Sequence, residues 1–352
     1  MNFIDLFCGI GGFRIAFEEQ NATCVFSSDI DKFARQTYQH NFGDLPSGDI
    51  TQIEANEIPK FDILTAGFPC QPFSYAGKNE GFKDKVRGTL FFDVLRILDY
   101  HKPKMFLLEN VKGLKSHEQG QTMETILKSL EDLGYSVQWQ ILNSYHFGIP
   151  QYRQRWYCVG FDKNIEFQFP KGDSKPSTLR DIVKENYNDN KKLRISDFEL
   201  SRIKFHFENQ HKAKRVEHDS SMYAPQTKKG KHGVFSYQKP DGSLRFHVGD
   251  RAKTQIQEAF YACLDTYAPT IIKNRVPKLW DIQRKLSVEE AKLLQGYPDW
   301  FEFPVSDAQA YMQLGNSVTV PVIQAIANAM IEAYKKSLPK QEEYKQGTFS
   351  FA

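Results

Sequence analysis

The sequence predicts an α/β protein built on a doubly wound, mostly parallel sheet, and three observations predict it. Through roughly the first 160 residues, short apolar runs alternate with segments of helical period, which is the pattern of βαβ units. The first apolar run leads directly into a glycine-rich loop that opens a helix. The second ends on an acid, Asp29, twenty residues beyond Gly9. In such sheets ligands bind beyond the carboxyl ends of the strands, so residues just after each apolar run are the candidates for function.

Taken in order, residues 3–7, 23–27, 62–66, 105–108 and 156–161 read as strands. Residues 14–19, 32–40, 90–98 and 123–133 read as the intervening helices; Leu90, Val94 and Leu98 share one face, as do Ile126 and Leu130. After about Pro170 the pattern gives way to polar, charged stretches such as KGDSKPS, ENYNDNKK and KKGKHG, the mark of a second domain or a large insertion. Helical period returns at 288–295 and at 319–334, the latter behind a Thr319 cap with Val322, Ile323, Ile326, Met330 and Ile331 as its apolar face. The expected division is therefore a first domain over 1–170 completed by 306–336, a second, smaller domain over 171–305, and a tail at 337–352.

Composition narrows the class. In 352 residues, 40% are hydrophobic and 25% charged, enough to build a core and cover it, which excludes disorder as the main state. No segment approaches the ~18 uninterrupted apolar residues of a membrane span, and the opening MNFIDLF lacks the basic start of a signal peptide, so the cytoplasm is expected. The five cysteines show no CxxC spacing, which argues against a disulfide framework and against a zinc site; no metal is expected. The net charge of +3 is too small to indicate a polyanionic partner. From Ser201 to Lys253, however, 12 Lys/Arg stand against 5 Asp/Glu, and that segment could face phosphate or be a solvated surface.

Four short segments carry the chemistry. In Asp5-Leu-Phe7-Cys-Gly9-Ile-Gly11-Gly12 the glycines let backbone N–H groups approach a ligand, and Asp29 can hydrogen-bond two ribose hydroxyls. Together they indicate an adenosine-type cofactor; Arg14 near the place of a third glycine suits S-adenosylmethionine better than NAD. In Gly67-Phe-Pro69-Cys70-Gln-Pro-Phe-Ser74, two prolines fix the backbone around a cysteine where the sheet presents reactive groups. Its thiolate would need a positive neighbour or a helix terminus, since a free thiol is only slightly ionised at neutral pH. Glu109 ends an apolar strand, an expensive place for a carboxylate unless it is hydrogen-bonded or poised for proton transfer. Arg153 and Arg155 begin the next strand, and a period of two puts both on one face.

These residues resemble a known family. DLFCGIGGFR, SSDID, GDI, GFPCQPFS, RGTLFFDVLRIL, ENVKGL, QYRQR, KLLQGYPD and QLGNSV are similar, in order, to the blocks of bacterial cytosine-C5 DNA methyltransferases. The resemblance covers 1–161 and about 284–334 and leaves 170–283, where that family keeps its variable target-recognition region, unmatched. It implies a Rossmann-like methyltransferase domain with a smaller target-recognition domain, S-adenosylmethionine as cofactor and duplex DNA as partner. It makes Cys70 the nucleophile for C6 of cytosine and Glu109 the group that protonates N3. Arg155 would hold the O2 side, and Arg153 would support the Cys70 region or a backbone phosphate. Phe7, Gly9 and Gly11 would form the cofactor loop, Asp29 would take the ribose, Ile30 and Ile50 the adenine and Asp49 its amino group, with Pro69, Leu90 and Asn316 lining the rest. The departures are Asp29 where glutamate is commoner and Ile30 where an aromatic ring often stacks. Asn316 precedes the last helix, so that helix should return to complete the first domain. The resemblance is to a stand-alone bacterial modification enzyme, with a restriction endonuclease acting separately on the same site as a further expected partner, and the self-contained architecture leads one to expect a monomer.

Three competing readings differ in what they leave unexplained. A cytosine-C5 tRNA methyltransferase shares the PCQPF and ENV blocks, but the long basic region between blocks favours duplex DNA. An NAD-dependent oxidoreductase accounts for the loop and Asp29 and not for Cys70, Glu109 or the arginines. A non-catalytic DNA-binding module has no use for a nucleophile and a complete cofactor loop.

Overall fold

The structure is a computed structural model that describes residues 1–69, 90–172, 175, 177–197, 200–201, 215–218, 232–238, 244–250, 256–259, 261–273 and 276–339. Its centre is a six-stranded sheet of β1 (Asn2–Leu6), β2 (Thr23–Ser28), β3 (Ile63–Gly67), β4 (Met105–Val111), β5 (Ser136–Asn143) and β7 (Gln154–Phe161), in the order β2-β1-β3-β4-β7-β5. All neighbouring pairs are parallel except those of β7, which runs antiparallel to both β4 and β5. The order reverses between β1 and β3, which sets a ligand crevice beyond their carboxyl ends. Because β7 is antiparallel, its first residues reach the same end of the sheet: Arg155 pairs with Val111, two residues past Glu109.

Alternation along the strands sorts side chains between two cores. Phe3, Ile63, Met105 and Leu107 face one side, where α1 (Gly12–Glu18) and the long C-terminal helix pack through Phe13, Phe17, Val322, Ile323, Ile326 and Met330. Ile4, Leu6, Leu64, Phe106 and Leu108 face the other, under α3 (Leu90–His101) and α4 (Gln121–Asp132) through Val94, Ile97, Leu98, Ile126 and Leu130. Helix α2 (Lys32–Phe42) is capped by Asp31, whose carboxylate accepts from the N–H groups of Phe33 and Ala34.

Toward the C-terminus come α5 (Val288–Leu293), α6 (Asp307–Asn316) and α7 (Val320–Lys336). Helix α7 packs across α1 and one face of the central sheet. The stretch Asp307–Lys336 is apolar enough to pass for a membrane span, yet two thirds of its most apolar window is buried inside the fold, so it is a core element. Thr319 stands at the N-cap of α7 without capping it. Its hydroxyl donates instead to Gln295 Oε1 at 3.1 Å and accepts from Ser144 at 2.8 Å, because the burial that removes it from solvent also offers it side-chain partners.

Between β7 and α5 the described residues form short elements. An antiparallel sheet holds β8 (Arg215–His218), β9 (His232–Gln238), β10 (Leu244–Asp250) and β11 (Ile256–Ala259), in the order β11-β10-β9-β8. Further on, Leu279, Leu286, Leu294, Tyr297 and Phe301 share a core with Ile10 and with Ile15 of α1. A buried ion pair anchors this stretch: Arg284 makes two contacts to Glu290, at 2.7 and 2.8 Å, and also reaches Asn188 and the Lys184 carbonyl. Of the 12 Lys/Arg between Ser201 and Lys253, Arg215 and Arg245 lie on β8 and β10, and the others, Lys212, Lys214, Lys228, Lys229, Lys231, Arg251 and Lys253 among them, lie outside the described residues.

Candidate active site

The loop after β1 turns sharply. Phe7, Gly9 and Gly11 have φ of 55°, 54° and 85°, and at Gly11 an added Cβ would meet the Phe42 ring at 2.3 Å. Only glycine combines that backbone with that contact. Gly9 donates its N–H to Asp29 Oδ2 at 2.8 Å, and Asp31 donates to Asp29 Oδ1 at 2.8 Å. The carboxylate at the end of β2 is thus clamped to the loop at the end of β1. Each oxygen keeps a second acceptor position, which is what a pair of ribose hydroxyls requires. Burial pushes the Asp29 carboxyl up, and the two N–H groups oppose that shift.

This clamp borders a cavity of about 670 Å³. Nine of the ten cofactor residues expected from the sequence line it: Phe7, Gly9, Asp29, Ile30, Asp49, Ile50, Pro69, Leu90 and Asn316. Gly11 does not; it serves the turn and packs against α2. Ile30 is 74% exposed on the cavity wall, an apolar surface open to a flat ring. Asp49 Oδ1 accepts from the Thr51 backbone and hydroxyl, and this caps the short helix Ile50–Gln52.

The other side of the cavity holds Glu109, Arg153 and Arg155. Arg155 Nε lies 3.2 Å from Glu109 Oε1, with both side chains 12% exposed. Burial raises the Glu109 carboxyl above its ordinary range; Arg155 and then Arg153 pull in the opposite direction without cancelling it. Of the two parts expected of Arg153, support of the Cys70 region concerns residues outside those described. Arg153 itself is 2% exposed, and its terminal nitrogens donate to the carbonyls of Ile271, Gly315 and Ser317, so it holds those segments to the site.

Cys70 lies outside the described residues, as does the loop up to residue 89. What leads to it is clear. Gly67 pairs with Glu109, and the buried Asn110 donates to the Phe68 carbonyl at 2.9 Å, so β4 fixes the chain up to Pro69, on the cavity wall. Sequence reasoning gave no role to several other lining residues. Tyr297, Gln313 and Ser317 fall in quoted blocks without being singled out, and Asn110 was passed over beside Glu109. Ile272 and Lys273 come from the unmatched region, where no motif could mark them.

A doubly wound sheet with an acid-clamped glycine loop at its switch point, and a buried acid beside arginines next door, defines a group-transfer enzyme with a nucleoside cofactor. The description of C-5 cytosine-specific DNA methylase matches residues 1–332. The chain is 45% identical over 340 residues to the type II methyltransferase M.HpaII of Haemophilus parainfluenzae, covering 94% of this chain and 89% of that one. It is 44% identical over 331 residues to M.NlaX of Neisseria lactamica, covering 93% and 95%. Among solved structures, the S. pombe Dnmt2 methyltransferase superposes with a TM-score of 0.67 at 19% identity, over 95% of this chain and 99% of that one. The Entamoeba histolytica methyltransferase EhMeth gives 0.61 at 20%, over 94% and 98%; these two support the fold alone. The chain belongs to the C-5 cytosine-specific DNA methylases: it is a methyltransferase that uses S-adenosylmethionine and acts on DNA.

Proposed function

We propose that this protein methylates C5 of a cytosine flipped out of a specific duplex sequence, with Cys70 as the nucleophile. The observation that carries this reading is the convergence on one cavity of the clamped Asp29 loop, the Glu109–Arg155 pair and Pro69, the residue before Cys70. The cavity fits the cofactor: its volume is ample, Asp29 offers two oxygens to the ribose and Ile30 an open apolar face to the adenine. When bound, S-adenosylmethionine supplies an electrophilic methyl group.

The residues do the rest. C5 of cytosine is a poor nucleophile until a group adds at C6, so the Cys70 thiolate forms a bond to C6 and Glu109 delivers a proton to N3. N3 of neutral cytosine is an acceptor, so Glu109 must arrive protonated, and its burial favours that state. Arg155 holds the carboxyl in place, and we assign it the O2 side of the ring. After the methyl group is on C5, loss of the C5 proton to solvent expels Cys70 as thiolate, and N3 returns its proton to Glu109, which restores both the ring and the acid. Burial suppresses competing thiols: Cys24 is pushed up to about 12, and Cys8 and Cys158 well above their ordinary value.

Base flipping costs a few kcal/mol of stacking and pairing, which DNA contacts must offset. We assign those contacts to residues 171–305, with 1–170 and 306–336 as the catalytic domain, and infer a cytoplasmic monomer. The type II names of the relatives support a restriction-modification role, with a separate endonuclease at the same site. Bisulfite sequencing of a host genome expressing this chain tests the reading. Methylated cytosines confined to one sequence context are expected; a genome without new 5-methylcytosine would contradict it.

A further inference from the structure

Asp49 and Ile50 reach the cavity wall from the one-turn helix Ile50–Gln52 and its cap, and so short an element does not hold its own shape. Part of its support is local. Asp49 Oδ1 accepts from the N–H and hydroxyl of Thr51, and the Ile50 carbonyl accepts from the Ile53 N–H at 3.3 Å. The rest comes from α3. Arg96, 46 residues away in sequence, donates through Nη2 to the same Ile50 carbonyl at 2.5 Å, while its Nε donates to Asp93 Oδ1 at 2.8 Å. Asp93 is buried, so the guanidinium is oriented on its own helix before it reaches the turn. Farther along α3, a ring nitrogen of His101 lies 2.8 Å from the Ala55 carbonyl, which ties the chain beyond the turn to the same helix.

We propose that Arg96 is a positioning residue for adenine: by holding the Ile50 carbonyl it fixes the turn that sets Asp49 against the amino group. The inference rests on the cofactor reading of this cavity. The Ile50 side chain is 3% exposed and packs in one core with Phe91, Val94 and Leu98 of α3. Apolar packing sets how deep that side chain sits, but it is not directional and leaves the turn free to rotate about it. A hydrogen bond from a charged donor to the Ile50 carbonyl is directional, so it sets the rotation and with it the aim of the Asp49 carboxylate one residue back. Leu90, the first residue of α3, lines the cavity beside this turn, so a single helix forms part of the wall and also anchors the acceptor next to it. Arg96 itself is not on the wall and acts only through the turn.

Two ligands and a double variant separate this role from a structural one. S-inosylhomocysteine carries a carbonyl where S-adenosylhomocysteine carries the amino group of adenine, so it has no amino group to donate to Asp49. Calorimetric titration of the full chain should show wild type preferring S-adenosylhomocysteine by about tenfold or more, the usual worth of a hydrogen bond to a charged group. Arg96→Met keeps the apolar stem and removes the donors, and it should narrow that preference to about threefold or less, mainly by weakening the adenosyl ligand. Arg96→Lys keeps a cation for Asp93, which guards against loss of the fold, and without the guanidinium fork it should narrow the preference too. If Arg96 acts through Asp49, Arg96→Met should weaken S-adenosylhomocysteine far less on an Asp49→Ala background than on wild type. A full preference in both Arg96 variants, whatever their melting temperatures, or equal losses on the two backgrounds, would assign the bond to the fold alone and overturn the proposal. Wild type that bound S-adenosylhomocysteine without preference would remove Asp49 from the amino group, and this inference with it. Wild type that bound neither ligand would overturn the cofactor reading itself.

Discussion

Arg155 Nε stands 3.2 Å from Glu109 Oε1 at the edge of the cavity, a contact made possible because β7 runs against β4 and brings its first residues to the end of that strand. Burial keeps the Glu109 carboxyl ready to hold a proton, and the arginine limits how far that goes. Glu109→Gln retains the shape and a hydrogen-bond donor while removing the transferable proton. Turnover should fall by roughly 10²–10⁴-fold, the range for loss of a general acid, with a much smaller change in affinity for S-adenosylhomocysteine. Steady-state methyl transfer at wild-type rate in this variant would rule out the role.

Asn110 provides a second test. Its Nδ2 donates to the Phe68 carbonyl at 2.9 Å and its Oδ1 accepts from the Val111 N–H at 2.8 Å. Asn110→Asp keeps the acceptor and loses the donor, leaving a buried carbonyl unpaired two residues before Cys70. Stability should drop by about 1–3 kcal/mol in urea titration, and turnover should fall at least about tenfold while cofactor affinity changes little. A variant that lost stability at full turnover would show that this bond serves the fold alone.

Asp5 gives the chain a pH dependence of its own. It is fully buried; Oδ1 accepts from Thr65, Oδ2 has no partner, and burial pushes the carboxyl up to about 8. The folded form therefore holds a proton that the unfolded chain releases near pH 4. This contribution is complete below about pH 4 and is lost as pH rises through about 8, at up to about 1.4 kcal/mol per pH unit. Asp5→Asn stays neutral throughout. Melting temperatures measured from pH 5 to 8 should diverge in favour of the variant as pH rises; parallel curves would show that Asp5 carries no such shift.

Strand alternation and helical period revealed the central sheet well, because both patterns come from burial on two faces. Residues 62–66 and 105–108 became Ile63–Gly67 and Met105–Val111, and 32–40 became Lys32–Phe42. β5 was missed: as the outermost strand it is half-buried over most of its length, so SVQWQILN shows no clean alternation. Helix α6 was missed for a related reason, since Gln313 and Gly315 are buried in it and blur the apolar stripe. A period of two puts Arg153 and Arg155 at the start of one strand, and the structure differs. The run from Gln151 forms two strands, β6 (Gln151–Tyr152) and β7, divided at Arg153, whose backbone N–H donates to Asn143 Oδ1. The site was legible where glycines and acids follow strands. It was not legible where a role depends on contacts distant in sequence, as with Arg153 on Ile271 and Ser317.

The most direct test of the central claim is covalent capture at Cys70. A duplex carrying 5-fluorocytosine at the methylated position has no C5 proton to lose, so the enzyme cannot be released after transfer. With S-adenosylmethionine present, wild type should form an adduct that survives denaturing electrophoresis, and mass spectrometry of its peptides should place the base on Cys70. Cys70→Ser should form none while still binding S-adenosylhomocysteine with near wild-type affinity. An adduct of equal yield in Cys70→Ser, or one mapped to another residue, would contradict the account.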